Sequence, residues 1–74
     1  MAAKINYSVT IVHESGDEKT DLATTSYQEA YGRAVALADE SKDRQVYVEW
    51  YRASDGQRGY LNRDGSNNIT GKAF

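Results

Sequence analysis

The chain has 74 residues, which is enough for one small domain and too few for a second hydrophobic core. Its formal net charge is -2, and the absence of cysteine excludes disulfide bonds, zinc fingers and thiol nucleophiles. Ile, Leu, Val and Phe supply only twelve residues, but the low net charge and the regular spacing of six tyrosines argue for a folded chain. No apolar run is as long as a membrane span or a signal-peptide core, so we expect a cytoplasmic protein with no membrane partner.

The first part of the chain has the pattern of a β-hairpin. Apolar and polar residues alternate, which predicts two antiparallel strands over residues 5–14 and 19–25. Gly16 and Asp17 fit the two central positions of a tight turn between these strands. In the resulting register Ile11 lies opposite Leu22, so that apolar side chains meet on one face.

A helix is predicted over residues 27–42. Ser26 and Glu29 have the spacing of a capping box, in which each side chain accepts a hydrogen bond from the other residue's backbone N–H. Gly32 costs about 1 kcal/mol relative to alanine within a helix, and fits either a close contact or a neutral surface position. The face predicted to pack inward consists of Tyr27, Ala30, Tyr31, Ala34, Leu37, Ala38 and Ser41.

A second hairpin follows the helix. Alternation predicts strands over residues 45–53 and 57–62, and the Asp55-Gly56 pair favours a type I′ turn between them. This turn places Trp50 opposite Leu61 and Tyr51 opposite Tyr60.

The element order is therefore ββαββ in a single α+β domain of residues 1–74. Placing strand 1 between strands 2 and 3 gives an antiparallel four-stranded sheet of order 2-1-3-4 with the helix on one face. Residues 63–74 are predicted to form a polar turn or a loose tail, in which Ile69 and Phe74 could anchor a short last strand. The sheet face without the helix is then open, and it is the first place to look for function.

Tyrosines and an arginine are predicted to gather near one corner of that open face. The candidate residues are Tyr47, Tyr51, Arg58, Tyr60 and Asn62. Tyrosine and arginine are enriched at binding hot spots because they combine a large contact area with polar groups. The alternative is that aromatic pairs across strands only stabilise a small sheet.

Carboxylates form a second candidate surface at the first hairpin and at the end of the helix. The set is Glu14, Asp17, Glu18, Asp21, Asp39, Glu40 and Asp43. An acidic surface could engage a basic groove of a partner protein, whereas the simpler interpretation is that these groups only keep the protein soluble. Acidic groups at a helix C-terminus are electrostatically unfavourable, which favours a functional role for the last three.

Two other classes of function stay open as alternatives. Residues 44–74 hold five basic and three acidic residues, so the tyrosine face could stack the bases of single-stranded nucleic acid, although the pI of about 5.2 argues against this. An exposed edge strand could instead support self-assembly.

The sequence gives little support for an enzymatic function. His13 is the only histidine and there is no cysteine, so the usual pairs of base and nucleophile cannot form. We expect no enzymatic activity, no cofactor and no metal site.

The second half of the chain carries a strand from Gln45 to Arg52, the Asp55-Gly56 turn, a strand from Gln57 to Asn62 and then Arg63-Asp64-Gly65. With the ββαββ order, the chain resembles small phage-encoded anti-defence inhibitors, anti-CRISPR proteins among them, in size and order of elements. The resemblance implies a protein inhibitor that acts in the bacterial cytoplasm on a defence or nucleic-acid-handling complex. It carries over no individual residue. We therefore predict a non-enzymatic protein-interaction module. The sequence does not determine its oligomeric state.

Overall fold

The computed structural model describes residues 4–40 and 45–69. Its elements are β1 (Ile5–Val12), β2 (Glu18–Thr24), α1 (Tyr27–Glu40), β3 (Gln45–Arg52), β4 (Gln57–Leu61) and β5 (Asn67–Asn68). The strands form one antiparallel sheet of order β2-β1-β3-β4-β5, with the helix against one face. The α+β class and the order of the first four strands are confirmed, but the sheet has five strands and not four. We call the face that carries α1 the inner face and the opposite one the outer face.

The hydrophobic core lies between α1 and the inner face. Its buried members are Tyr7, Val9, Ala30, Ala34, Leu37, Val46, Val48, Trp50 and Leu61. Val9, Val48 and Leu61 are completely enclosed, and the two small alanines allow the helix to lie close to the sheet. The alternation of the strands and the helical spacing predict this set, since each of these residues falls on an inward position of its element.

The helix begins as its capping residue predicts. The Glu29 N–H donates to Ser26 Oγ at 3.2 Å, which satisfies one of the unpaired donors of the first turn. The other half of the capping box is wrong, because the Ser26 N–H donates to Thr24 Oγ1 at 3.0 Å. Gly32 is exposed and has open space around it, so it is a neutral surface position. The predicted inward position Ser41 lies outside the described residues.

The β1–β2 turn differs from the predicted two-residue turn. The His13 N–H donates to the Asp17 carbonyl at 2.8 Å, and the Gly16 N–H donates to the His13 carbonyl at 2.9 Å. These bonds enclose a three-residue loop that ends on Gly16, whose φ of 92° is the left-handed conformation that such a loop requires. The turn therefore ends at Gly16, one residue before its predicted end at Asp17.

The register of β1 and β2 is consequently also different. Leu22 lies opposite Val9 and not opposite Ile11 as predicted. Thr20 pairs with β1 at the next position, so Asp21 is an extra residue, a β-bulge on β2. Without the bulge Leu22 would fall on the outer face, because a slip of one residue moves a side chain to the other side of a sheet.

The β3–β4 connection is a four-residue loop, residues 53–56, and not the predicted two-residue type I′ turn. Arg52 pairs with Gln57 across its base, and the Gly56 N–H donates to the Arg52 carbonyl at 2.9 Å. Gly56 has a φ of 74°, which again suits glycine. The Asp55 carboxylate accepts from Arg52 Nε at 3.0 Å and from the Gln57 N–H at 3.2 Å, which favours this longer loop.

The longer loop moves the β3–β4 register by two residues. The observed pairs are Trp50 with Gly59 and Tyr51 with Arg58. The predicted partners, Leu61 and Tyr60, are wrong, but an even shift leaves every side chain on its predicted face. A Cβ atom on Gly59 would lie 2.8 Å from both Trp50 Cζ2 and the Asn68 carbonyl oxygen, so only glycine fits beneath the indole ring.

The fifth strand follows a turn of the same type as the first. The Asn62 N–H donates to the Ser66 carbonyl at 2.8 Å, and the Gly65 N–H donates to the Asn62 carbonyl at 2.9 Å. The strand then pairs Asn67 with Leu61 and Asn68 with Tyr60. Ile69 is exposed beyond it, and Phe74 lies outside the described residues.

Contacts with the helix hold this last turn on the inner side of the molecule. The Tyr27 hydroxyl donates to the Gly65 carbonyl at 2.7 Å, and the Tyr31 hydroxyl donates to the Arg63 carbonyl at 2.6 Å. Arg63 also forms an ion pair with Asp39 at 2.8 Å. The prediction left a polar turn, a short strand or a loose tail open for residues 63–74, and as far as residue 68 the chain forms a turn followed by β5.

Candidate functional site

The outer face is formed by the residues of β1, β3 and β4 that alternate with the core residues. Tyr51 stands between Asn6 of β1 and Arg58 of β4, to which it is paired on either side. Its side chain is 38% exposed, whereas Tyr47 and Tyr60 are half-buried. The predicted open-face tyrosines therefore share a face, although they differ in exposure.

Tyr47 reaches sideways across the sheet from β3. Its ring meets that of Tyr60 edge to face, with the centroids 5.8 Å apart and the planes at 71°. Its hydroxyl donates to the Glu18 carboxylate on β2 and is also hydrogen-bonded with Thr10 on the intervening β1. Thr10 is consequently only 7% exposed although it lies on the outer face.

This environment keeps the Tyr47 hydroxyl protonated. Burial raises the pKa of Tyr47, and the hydrogen bond with Glu18 raises it further, to about 12. The hydrogen bond with Thr10 has the opposite, smaller effect, and the charge of Glu49 adds to the rise. Tyr47 is therefore a neutral hydrogen-bond donor whose partner lies within the protein, and it serves to fix the outer face.

Tyr51 and Arg58 form a second aromatic contact. Arg58 Cζ lies 5.5 Å from the centroid of the Tyr51 ring, within the range of a cation–π interaction. The pair is directly opposed across β3 and β4, so the backbone of both strands fixes its position. Sequence reasoning places both residues on this face but gives Tyr51 the wrong partner, because the turn is two residues longer than predicted.

Asn62, predicted as an outer-face residue, lies at the start of the β4–β5 turn. It follows β4, and its Nδ2 donates to Ser66 Oγ at 2.9 Å within the β4–β5 turn. Its backbone closes the same turn. Asn62 is therefore a turn residue, and the predicted strand end at residue 62 is one residue too long.

Within the described residues, three of the predicted acidic groups are bound to a side chain on another segment of the fold. Glu18 accepts from Tyr47, and Asp39 pairs with Arg63. Asp21 accepts from Arg33 Nε at 2.7 Å and from Arg33 Nη2 at 3.2 Å, and the hydrogen bond with this guanidinium lowers the pKa of the Asp21 carboxyl. These groups therefore join segments of the fold.

The remaining acidic residues are exposed or lie outside the described residues. Glu14 and Asp17 are exposed in the β1–β2 turn, and Asp17 accepts from Ser15 Oγ at 3.2 Å. Glu40 is exposed at the end of α1, while Asp43 lies outside the described residues. An acidic contact surface would therefore centre on the first turn.

The arginines of the second half differ in their pairing. Arg52 is bound to Asp55 at 2.9 Å and Arg63 is bound to Asp39, whereas Arg44 and Lys72 lie outside the described residues. Within the described part of the chain, Arg58 forms no ion pair. Of the described arginines in the second half, Arg58 is thus the one left to supply the basic field that nucleic-acid binding would need.

Neither a cluster of metal-ligating side chains nor a membrane-spanning helix is found in the described ranges. Across residues 4–40 and 45–69, no three His, Asp or Glu side chains are grouped to hold a metal ion. No helix in those same ranges has the length and apolar character of a membrane span.

The link from Tyr47 to Glu18 is the feature of the site that sequence reasoning misses. It depends on the register in which β1 pairs with β3 and on the shifted β1–β2 register, neither of which the sequence patterns predict. Comparison with known proteins adds no further constraint, since no protein-family model, no curated protein and no solved structure matches the chain.

Proposed function

We propose that the protein is a non-enzymatic protein-interaction module whose outer sheet face binds a partner protein. The observation that carries the proposal is the exposed Tyr51 ring, paired with Arg58 on the face opposite the helix. A few residues supply most of the binding energy at protein interfaces, and tyrosine and arginine are enriched among them. Both side chains are available at the surface of a rigid sheet.

The surroundings of Tyr51 favour this proposal because they limit the entropy lost on binding. Tyr51 is set between two paired strands, and the contact with Arg58 orders the longer side chain before any partner arrives. The neighbouring Tyr47 and Tyr60 rings support each other edge to face. A face ordered in this way is suited to tight contact without rearrangement.

The resemblance to anti-CRISPR proteins suggests the class of partner to test first. On this proposal the protein is a phage or mobile-element inhibitor that acts in the bacterial cytoplasm on a defence or nucleic-acid-handling complex. Its support is the small size of the chain and the order of its elements. The outer face would then occupy a surface that the complex uses in its own work.

Self-assembly through a sheet edge has less support. The β2 edge carries the Asp21 bulge and its ion pair with Arg33, and bulges and charges both hinder pairing with another strand. Part of β4 is covered by β5. These features favour the outer face over the edges as the contact surface.

Site-specific crosslinking tests the proposal. A photoreactive benzoylphenylalanine replaces Tyr51 in one variant and Gln28, exposed on α1, in a matched control, and both are irradiated in bacterial cells. We expect a discrete protein adduct from position 51 that excess wild-type protein suppresses and Tyr51→Ser protein does not. Equal adducts from both positions, or a nucleic-acid adduct from position 51, would contradict the proposal.

A further inference from the structure

We propose that Arg58, held against the Tyr51 ring, is the group that receives a carboxylate of the partner, so that the partner presents an acidic segment to the outer face. This inference rests on the proposed protein-binding function. It adds the chemistry of the partner and the residue that recognises it.

The first observation is that Arg58 differs from the other described arginines. Those three are each bound to an aspartate, in the pairs Arg33 with Asp21, Arg52 with Asp55 and Arg63 with Asp39. The Arg58 guanidinium has five N–H donors and no carboxylate partner among residues 4–40 and 45–69. Its only specific contact there is the face of the Tyr51 ring.

The second observation is the distribution of charge on the outer face. Lys4 is exposed just before β1 and, by the alternation of that strand, falls on the outer face at the end where Tyr51 and Arg58 lie. Of the acidic groups on this face, Glu18 lies at the other end, bound to Tyr47, and Glu49 lies on β3 between Tyr47 and Tyr51. Lys4 and Arg58 thus outnumber Glu49 at the Tyr51 end, which complements an acidic group.

The contact with Tyr51 prepares Arg58 for this role. A guanidinium against an aromatic face keeps its N–H donors at its edge, where a carboxylate can accept two of them in parallel. The ring also offers an apolar surface to the carbon atoms of the same acidic side chain. Tyr51 is thus a positioning residue and Arg58 the binding residue.

A carboxylate fits this site better than the phosphates of a nucleic acid. Phosphate backbones gain affinity from several cations that act together, whereas the outer face offers one arginine and one lysine. A single guanidinium is matched to a single carboxylate.

NMR titration of the intact protein with a capped tetraglutamate peptide tests the inference. The side-chain N–H signals of Arg58 and Arg33 are followed in the same spectra, so that Arg33, already bound to Asp21, is an internal control. We expect saturable shifts at Arg58 and at the Tyr51 amide, and little change at Arg33. Capped tetralysine should cause no shift at Arg58.

Variants separate the contributions of charge, geometry and the ring. Arg58→Gln should abolish the shift of the Tyr51 amide. Arg58→Lys should weaken binding, because lysine keeps the charge but lacks the parallel N–H donors of the guanidinium. Tyr51→Ser should weaken binding about two- to fivefold, the value of an exposed cation–π contact. Tyr51→Phe and Arg33→Gln should retain it.

Equal shifts at both arginines, or no shift at Arg58, would overturn the inference. Preferential binding of oligothymidylate over tetraglutamate would also overturn it, in favour of nucleic acid. If the Arg58 signals do not shift but position 51 still gives a protein adduct, the proposed contact between Arg58 and a carboxylate is wrong and the protein-binding function stands. If the adduct is also absent, both are wrong.

Discussion

The hydroxyl of Tyr47 donates a hydrogen bond to the carboxylate of Glu18, from β3 across β1 to β2. The contact covers Thr10 and joins the tyrosines of the outer face to the acidic first hairpin. The two surfaces that the sequence suggests as separate sites are therefore connected. The same bond holds the half-buried Tyr47 in place on the outer face. Tyr51 is the exposed aromatic residue of that face.

This connection should be measurable as a coupling between the two residues. Tyr47→Phe and Glu18→Ala each remove the hydrogen bond, and we expect each to lower the free energy of unfolding by about 1 kcal/mol. The double variant should lose less than the sum, because both changes remove the same contact. Urea denaturation measures all four proteins, with Tyr51→Phe as a control expected to be neutral. Simple additivity would show that the contact contributes nothing.

Alkaline pH should destabilise the protein through Tyr47. Because folding raises the pKa of Tyr47 from 10.0 to about 12, the unfolded chain loses this proton at a lower pH than the folded protein. The contribution is complete below about pH 10 and is lost as the pH rises toward 12, by about 2 kcal/mol at most. Unfolding measured across this range should show the loss, and Tyr47→Phe should reduce it. Some loss should remain, because burial also raises the pKa of Tyr7.

Two glycines provide a matched pair for the β3–β4 register. Gly59→Ala places a methyl group 2.8 Å from both the Trp50 ring and the Asn68 carbonyl, so we expect a loss of about 1–3 kcal/mol. Gly32→Ala adds the same atom in open space on a helix, where it should stabilise by about 0.5–1 kcal/mol. Thermal unfolding compares them. A neutral Gly59→Ala would contradict the observed register.

The β4–β5 turn should loosen when its helix contacts are removed. Tyr27→Phe and Tyr31→Phe each delete a hydroxyl that donates to this turn, at an expected cost of about 0.5–1.5 kcal/mol. Hydrogen exchange of the Asn62 amide, which bonds to Ser66, should accelerate in both variants. The His13 amide, in the similar first turn, should be unchanged. If both amides respond alike, the loss is global and the helix contacts do not hold this turn specifically.

Sequence patterns predict the faces of this fold better than its pairings. Alternation assigns Trp50, Leu61 and Tyr51 to their correct sides, because burial constrains every second residue. Turn chemistry locates glycines but not loop length: Gly16 and Gly56 have the positive φ that their turns require, yet each closes a longer loop than predicted.

What the sequence could not predict depends on contacts distant along the chain. The Asp21 bulge is favoured because it returns Leu22 to the core, and β5 is held by Tyr27 and Tyr31 from the helix. Such contacts have no local pattern. Tyr51 and Arg58 are predicted as members of the candidate site, but their direct pairing follows only from the observed register.

Binding of the partner captured through position 51 is the most direct test of the outer face as an interaction surface. Isothermal titration with the purified partner would compare wild type, Tyr51→Ser and the helix control Gln28→Ser, after circular dichroism has confirmed that all are folded. We predict that Tyr51→Ser weakens the affinity at least about tenfold, as a hot-spot residue does, while Gln28→Ser leaves it unchanged. Equal affinities for Tyr51→Ser and wild type would contradict the proposed binding face.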